Sequence, residues 1–564
     1  MKKNSFYGVL LLMLLSLNSC SKRDDYRKIS VEEYQNKMKA GWIGQMVGVG
    51  WGAPTEFKYS QQTIPNEDVP EYTPEFVNQF NQDDIYVEMT FIQTLEKYGV
   101  DCTYEQAGID FANSEYMLWG ANEIGRENLR SGIKPPASGH PEFSDGADWI
   151  DYQIEADYSG IISPGMPNEV IALGEKFGRI MNYGDGLYGG MFVGGMYAEA
   201  YFENDIIKII EAGLECIPYE SQYAECMRDV VQWYKENPND WEKSWRLIED
   251  KYYENPEYRK YTEVSPDYWF HMDAKLNGAY ILMGLLYGEG DIDKTIKISM
   301  QCGRDSDCNP SNAAGVLFTA LGYNNLDEKY VSALTPDVKF SYTNYNFNEL
   351  CEVSTELAKK FVLKNGGKIE TANDGKEYFL IANHKAKPGK LEQSWEPQPF
   401  TGETKFTNEQ KRQIKFHAHH NFTDLVKEAG SERWKIYSCA SRTEPKFYSF
   451  NDKKNVIKTS LENKSSSVMF FLQDYDLTEF DKAYLNFSVS CEEEGEINLS
   501  LKINYQAPML EETINAGNLT NGWKNYKIDV TEFIGPKVTF MLGHSGGNKS
   551  NTDAYWHNLK ITSK

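Results

Sequence analysis

Residues 302–322 constrain the fold of this chain more than any other stretch. They read Cys302-Gly303-Arg304-Asp305-Ser306-Asp307-Cys308-Asn309-Pro310, then Ser311-Asn312-Ala313-Ala314-Gly315-Val316-Leu317-Phe318-Thr319-Ala320-Leu321-Gly322. Asn309 can cap a helix, and Pro310 suits a first helical turn. The residues that follow are small, so other backbones can lie close against this helix. Asp305 and Asp307 stand two apart in the loop before it, near its positive end, which favours their ionised forms. Oxygen ligands placed in this way suit a hard cation such as Mg²⁺. Because D-x-D is a common pattern, a capped helix with solvated acids is the competing reading.

A second acid pair sharpens the choice. Asp83 and Asp84 open Gln82-Asp83-Asp84-Ile85-Tyr86-Val87-Glu88-Met89-Thr90-Phe91-Ile92. Ile85, Met89 and Ile92 share one helical face, and Val87 and Phe91 form another, so the spacing predicts a buried helix. Adjacent carboxylates entering a buried helix repel unless something positive stands between them. Helix capping accounts for one of the two acids. The expectation is that Asp83, Asp84, Asp305 and Asp307 converge on one metal site.

Upstream, Ser30-Val31-Glu32-Glu33 reads as a capping box. The helix it opens runs into Gly41-Trp42-Ile43-Gly44-Gln45-Met46-Val47-Gly48-Val49-Gly50-Trp51-Gly52-Ala53-Pro54-Thr55-Glu56-Phe57. These glycines predict close helix packing followed by a turn. They match neither a dinucleotide fingerprint nor a Walker motif. Glu56, just after Pro54, is placed on a loop from which it can point into a site.

The loop from Gly132 to Pro167 is rich in Pro, Gly and acids, and long loops of this kind are often functional. Asp148, Asp151 and Glu155 are spaced for one helical face, which reads as a solvated face. Gly184-Asp185-Gly186 sits on a turn. Helical patterns follow almost without break, from Asn168 to Leu363, ending at Asn365-Gly366-Gly367 as a C-cap. The expected domain over residues 30–366 is all-α. Past Gly366 the period changes. Residues 367–420 read as linker and connecting segment, most clearly the Pro- and Lys-rich stretch Lys385 to Thr404. Over 421–564, Leu485, Phe487, Val489 and Cys491 alternate with polar residues, as do Ile497, Leu499, Leu501 and Ile503, which predicts an all-β sandwich. Such domains often bind glycans, and a purely structural role is the alternative. Gly543-His544-Ser545-Gly546-Gly547 matches G-x-S-x-G, but no helix follows it, so no nucleophile elbow is expected. His417-Ala418-His419-His420 reads as a polar linker or strand start.

With 564 residues the chain is too long for one core. Its formal charge of -25 argues against a nucleic-acid backbone as partner. Lys2 and Lys3 precede a short apolar run, Tyr7 to Leu15, then Leu17-Asn18-Ser19-Cys20. The run is too short to span a bilayer, and residues 1–19 read as a signal peptide. Its ending resembles a bacterial lipobox, which would lipidate Cys20. Residues 20–29 would then tether the protein to the outer membrane, the lipid being its sole contact with the bilayer. Cys102, Cys216, Cys226, Cys302, Cys308, Cys351, Cys439 and Cys491 show no disulfide framework or zinc spacing, and free thiols are expected.

Three segments in order resemble the ADP-ribosylglycohydrolase family. Gly44 to Phe57 is similar to its glycine-rich helix ending in Gly-x-Pro-x-Glu, Asp83-Asp84 to its Thr-Asp-Asp triplet, and Gly303 to Asp307 to its Gly-x-Asp-x-Asp-Thr loop. The resemblance implies an all-α fold, two Mg²⁺ ions (Mn²⁺ being the substitute) about 3.5–4 Å apart, and hydrolysis of a glycosidic bond. It assigns Asp83, Asp84, Asp305 and Asp307 to the metals and Glu56 to the catalytic base. Asp185, or an acid of the loop that carries Asp148 and Asp151, is the candidate for the leaving group or for substrate contact. The chain departs from the pattern at Val49, Gln82 and Cys308, where the family has Asp, Thr and Thr. The implied partner is an ADP-ribosyl-like or other glycosyl substrate. A non-catalytic glycan-binding lipoprotein is the rival expectation.

Overall fold

The computed structural model describes residues 26–116, 118–258, 272–415, 434–439, 446–461, 467–504, 508–546 and 552–563. Cys20 and His417–His420 lie outside them. The chain enters through β1 (Tyr26–Ser30) and α1 (Val31–Gly52). It continues through α2 (Asp83–Tyr98), α3 (Tyr104–Ala112), α4 (Gly120–Arg130), the short α5 (Asp151–Ile154) and α6 (Asp157–Ile161), α7 (Pro167–Phe177) and α8 (Asp185–Ala200). Then come α9 (Ile206–Glu215), α10 (Gln222–Glu236), α11 (Trp241–Ile248), α12 (Ala274–Gly288), α13 (Ile292–Gln301), α14 (Cys308–Leu321) and α15 (Phe347–Lys364).

The inner helices are buried all round, as their apolar sequences require. Every residue of α12 is buried, as is every residue of α14 from Cys308 to Ala320. Helix α1 packs against α14, and the glycines of α1 let the two backbones come close. A β-carbon on Gly44, Gly48 or Gly52 would stand 2.6 Å from the Ala314 carbonyl oxygen, 2.3 Å from that of Pro310 and 2.2 Å from that of Ser306, respectively. These glycines recur every fourth residue, so one stripe of α1 lies directly on the backbone of α14 and of the loop before it. The start of α14 differs from expectation. Asp307 holds the N-cap position, and Asn309 and Pro310 lie inside the first turn. At its other end α15 stops as expected, with Gly367 N donating to Val362 O at 2.8 Å and Gly366 N to Leu363 O at 3.2 Å, a Schellman pattern.

Two stretches read as tether and linker are ordered parts of the helical unit. Tyr26–Ser30 pairs antiparallel with β3 (Glu377–Ala382), which also pairs with β2 (Lys368–Thr371). Phe379, Ile381, Phe406 and Ile414 join the helical core. The Pro-rich stretch is pinned to the helices as well: Glu392 accepts from Arg179 Nη1 at 2.6 Å, and Ser394 Oγ accepts from Asp185 N at 2.7 Å.

After the short α16 (Asn408–Lys411) the described residues are strands joined by turns, two of them short 3-10 turns. The strands are β4 (Lys435–Cys439), β5 (Lys446–Phe450), β6 (Lys453–Leu461), β7 (Ser467–Tyr475), β8 (Tyr484–Cys491), β9 (Glu496–Ile503), β10 (Leu510–Asn515), β11 (Lys524–Asp529), β12 (Val538–Gly546) and β13 (Thr552–Thr562). They form two five-stranded antiparallel sheets, ordered β10-β9-β12-β7-β4 and β11-β8-β13-β6-β5. The alternating residues of β8 and β9 fill the core between the sheets. The G-x-S-x-G match lies within and just after β12. His544 is buried, paired with Thr459 Oγ1 at 2.8 Å, and burial pushes its pKa down to about 3, so it is a neutral core residue. No helix among the described residues is long and apolar enough to cross a membrane.

Candidate metal centre

Asp83 and Asp84 are the first residues of α2, and Asp307 caps α14, so two helix N-termini aim their partial positive charge at one place. Asp305 reaches it from the loop after α13. Gly303 permits that loop: its φ is +82°, and a β-carbon there would stand 2.5 Å from the Tyr59 carbonyl. Arg304 is itself left-handed, with φ +57°, and buried, its guanidinium held by Glu249 at 2.6 Å and by the Tyr280 hydroxyl at 3.2 Å. Its backbone accepts from Phe57 N at 2.9 Å and donates to Tyr59 O at 2.8 Å. Thr55 Oγ1 and Ser306 Oγ are 2.8 Å apart. These bonds fasten the Glu56 loop to the Asp305–Asp307 loop.

The four aspartates and Glu56 therefore face one another, as expected. Cys308 Sγ donates to Asp84 Oδ2 at 3.2 Å, joining the two acid pairs across 224 positions. Burial pushes each acid above the usual carboxylate range, and for Asp83, Asp84 and Asp305 the neighbouring acids add to the push. Asp83 rises to about 6, with Asp307 adding to the push. Asp84 and Asp305 rise well above their ordinary value, and Asp307 rises too. Glu56 stands at the rim with part of its surface in solvent, yet the protein packed on its inner side, with Asp307 and Asp83, lifts it to about 8.

The donor set fits a cation. With the acids ionised, no hydrogen-bond donor of the described residues reaches either oxygen of Asp305, nor Oδ1 of Asp84, although both residues are buried, and Asp305 meets Asp307 carboxylate to carboxylate. Ligand atoms of Asp305, Asp307 and Cys308 lie within 4.8 Å of one another. Buried carboxylates without donors are costly unless protonated or neutralised by a positive charge.

The acidic loop divides in two. Asp148, Asp151 and Glu155 are 2%, 3% and 0% exposed, which corrects the reading of a solvated face. Asp151 and Glu155 lie toward the centre: burial raises both, putting Asp151 at about 7, and Asp83 adds to the push on each. Asn122 holds the pair, its N–H on Asp151 at 2.8 Å and its side-chain amide on Glu155. Asp148 and Asp185 belong to a different buried group. Lys275 Nζ lies 2.8 Å from Asp273 and 3.6 Å from Asp185, while Asp148 is acted on by Lys275, Asp273 and Asp185. Asp185 also accepts from Tyr223 N at 3.2 Å. Asp185 is fully buried, and its neighbouring charge is Lys275 rather than the aspartates of the cluster.

Sequence reasoning passed over Glu88, which together with Asp157 of the acidic loop backs the cluster. Asn312 Nδ2 donates to Asp157 at 2.7 Å, and Tyr158 N and Gln45 Nε2 donate to Glu88 at 2.8 and 2.6 Å. Glu88, one turn after Asp84 on an apolar helix, was the available signal. Cys302 and Cys308 are free thiols, as expected.

A family model described as ADP-ribosylglycohydrolase matches residues 30–366. Among solved structures, one described as an ADP-ribosylglycohydrolase-related protein complex is 14% identical over 58% of this chain and 99% of that chain, with a TM-score of 0.37. The β-sandwich is similar to a CBM61 module in complex with beta-1,4-galactotriose (12% identity, 24% of this chain, 93% of that chain, TM-score 0.20). It is also similar to CBM28, a module specific for non-crystalline cellulose (17%, 23%, 87%, TM-score 0.19). No curated protein matches the chain.

Proposed function

The match over residues 30–366 makes this chain a member of the ADP-ribosylglycohydrolase family, and from that premise we propose that it is a metal-dependent glycoside hydrolase acting on an N- or O-glycosidic bond of an ADP-ribosyl-like or other glycosyl substrate. The observation that carries the reading is the buried Asp305, both of whose oxygens lack a donor while facing Asp307, Asp84 and Glu56. Asp83, Asp84, Asp305 and Asp307 would hold a pair of divalent ions, Mg²⁺ or Mn²⁺. Bound there, the metal supplies Lewis acidity to sugar hydroxyls and water.

The remaining work falls to the chain. Glu56, at the rim, meets both solvent and the cluster, so its carboxylate takes the proton from the attacking water. The Thr55–Ser306 contact keeps that carboxylate at a fixed distance from the aspartates. Asp151 and Glu155, each with an oxygen that no donor of the described residues reaches, add negative charge beside the cluster. The β-sandwich would keep a glycan near the site and raise its effective concentration. Lipidation at Cys20 and residence at the outer membrane belong to the same proposal, supported by the lipobox-like Leu17-Asn18-Ser19-Cys20.

The test is a hydrolysis screen of the purified protein with Mg²⁺ against ADP-ribosyl, nucleoside and aryl-glycoside substrates. Turnover that chelation abolishes supports the reading. Turnover that survives full removal of metal overturns it.

A further inference from the structure

The carboxylates do not exhaust the donors of the cluster. Cys308, the first residue of α14, is 5% exposed. Its surroundings are not those of a thiol that merely fills a core. The sulfur lies 3.2 Å from Asp84 Oδ2 and 3.7 Å from Asp307 Oδ1, and Asp305 and Asp83 face it as well. A structural buried cysteine ordinarily packs as a small hydrophobe. This one is enclosed by acids.

A second observation points to a ligand independently of the sulfur. Asp305 is 1% exposed, and no donor of the described residues reaches its oxygens. One ligand atom each from Asp305, Asp307 and Cys308 lies within 4.8 Å of the others. Metal–ligand bonds of about 2.0–2.3 Å put two donors of one ion within roughly 4.5 Å, so small side-chain rotations close this trio on a single cation.

Resting on the reading of the acids as a metal centre, we infer that Cys308 Sγ is itself a ligand. The centre is then a mixed carboxylate–thiolate site that selects a borderline cation such as Zn²⁺ or Co²⁺ over Mg²⁺. An all-oxygen site suits Mg²⁺, whereas a thiolate adds a soft donor that Mg²⁺ cannot use well. On binding, the metal–sulfur bond forms as the S–H bond breaks, and the proton passes to solvent, because a coordinating thiol is deprotonated outright.

Spectroscopy of the full-length protein tests this without any substrate. The chain is stripped with a chelator and titrated with Co²⁺. The expected result is a near-ultraviolet thiolate-to-cobalt charge-transfer band that is absent in Cys308→Ser. The variant should melt cooperatively, keep its Mg²⁺ affinity within a few-fold, and lose Zn²⁺ affinity by roughly 10–100-fold. Co²⁺ binding without the band, or a band that persists in Cys308→Ser, overturns the thiolate ligand and leaves the carboxylate centre standing. Failure of the wild type to bind Co²⁺, Zn²⁺ or Mg²⁺ overturns the metal reading itself.

Discussion

A β-carbon added to Gly52 would stand 2.4 Å from the Cα of Asp307. The glycine-rich end of α1 thus forms the floor on which the aspartate loop rests, and the distance between Glu56 and the acids depends on there being no side chain between them.

Gly48→Ala and Gly52→Ala should therefore damage both stability and site. Overpacking against backbone costs typically about 1–3 kcal/mol. Gly389, whose nearest neighbour would be Glu175 Oε1 at 3.7 Å, is the control, and its alanine variant should stay within about 0.5 kcal/mol of the wild type. Urea unfolding midpoints measure the difference. Equal midpoints for Gly52→Ala and Gly389→Ala would show that the backbone contact is not tight.

Asp305→Ala should abolish divalent-metal binding, read by calorimetry. With its oxygens facing Asp307 and Asp84, Asp305 is the acid that removal of metal leaves least satisfied. Full metal stoichiometry in the variant would place the cation elsewhere.

Stability of the metal-free protein should fall as pH rises from about 4 to about 8. The folded state holds Asp83 at about 6, Asp151 and Asp157 at about 7 and Glu56 at about 8, all above their unfolded values. In that window the native state binds more protons than the unfolded state, so unfolding becomes easier with pH. Metal ligands must be deprotonated, so the gain in melting temperature on adding excess metal should be larger at pH 8 than at pH 5. An equal gain at both pH values contradicts the cluster's role.

Glu56→Gln keeps shape and removes the base. We expect kcat to fall roughly 10²–10⁴-fold with little change in metal affinity. Asp185→Asn is the contrast. It loosens the Lys275 group at a cost of about 1–3 kcal/mol in stability while leaving metal binding intact. A variant at Glu56 with wild-type turnover would move the base to Asp151 or Glu155.

Cys20→Ser should release the protein from the membrane fraction, since the apolar run before it is too short to hold a bilayer by itself. Retention after that change would reveal another anchor.

What the sequence determined by itself was local. The periods of apolar residues separated an all-α part from an all-β part, because burial on one face repeats every 3.6 or every 2 residues whatever lies opposite. The acid pairs were legible because like charges at the start of buried helices have no cheap alternative to a cation. The glycines of α1 announced close packing, though not against which backbone. Only the tertiary structure decided the rest. Asp148, Asp151 and Glu155 share a spacing that fits a solvated face, and burial depends on what the fold stacks on top of them. The same loop feeds two groups: Asp148 feels the charge of Lys275 from α12, while Asp151 and Glu155 feel that of Asp83. Tyr26–Ser30 became a strand because Glu377–Ala382, far along the chain, offers it an edge. Cys308 reads as a buried thiol until Asp84 is brought beside it. In each case the deciding partner is remote in sequence, and the energy of burying a charge or pairing a strand is set by that partner rather than by the residue's own neighbours.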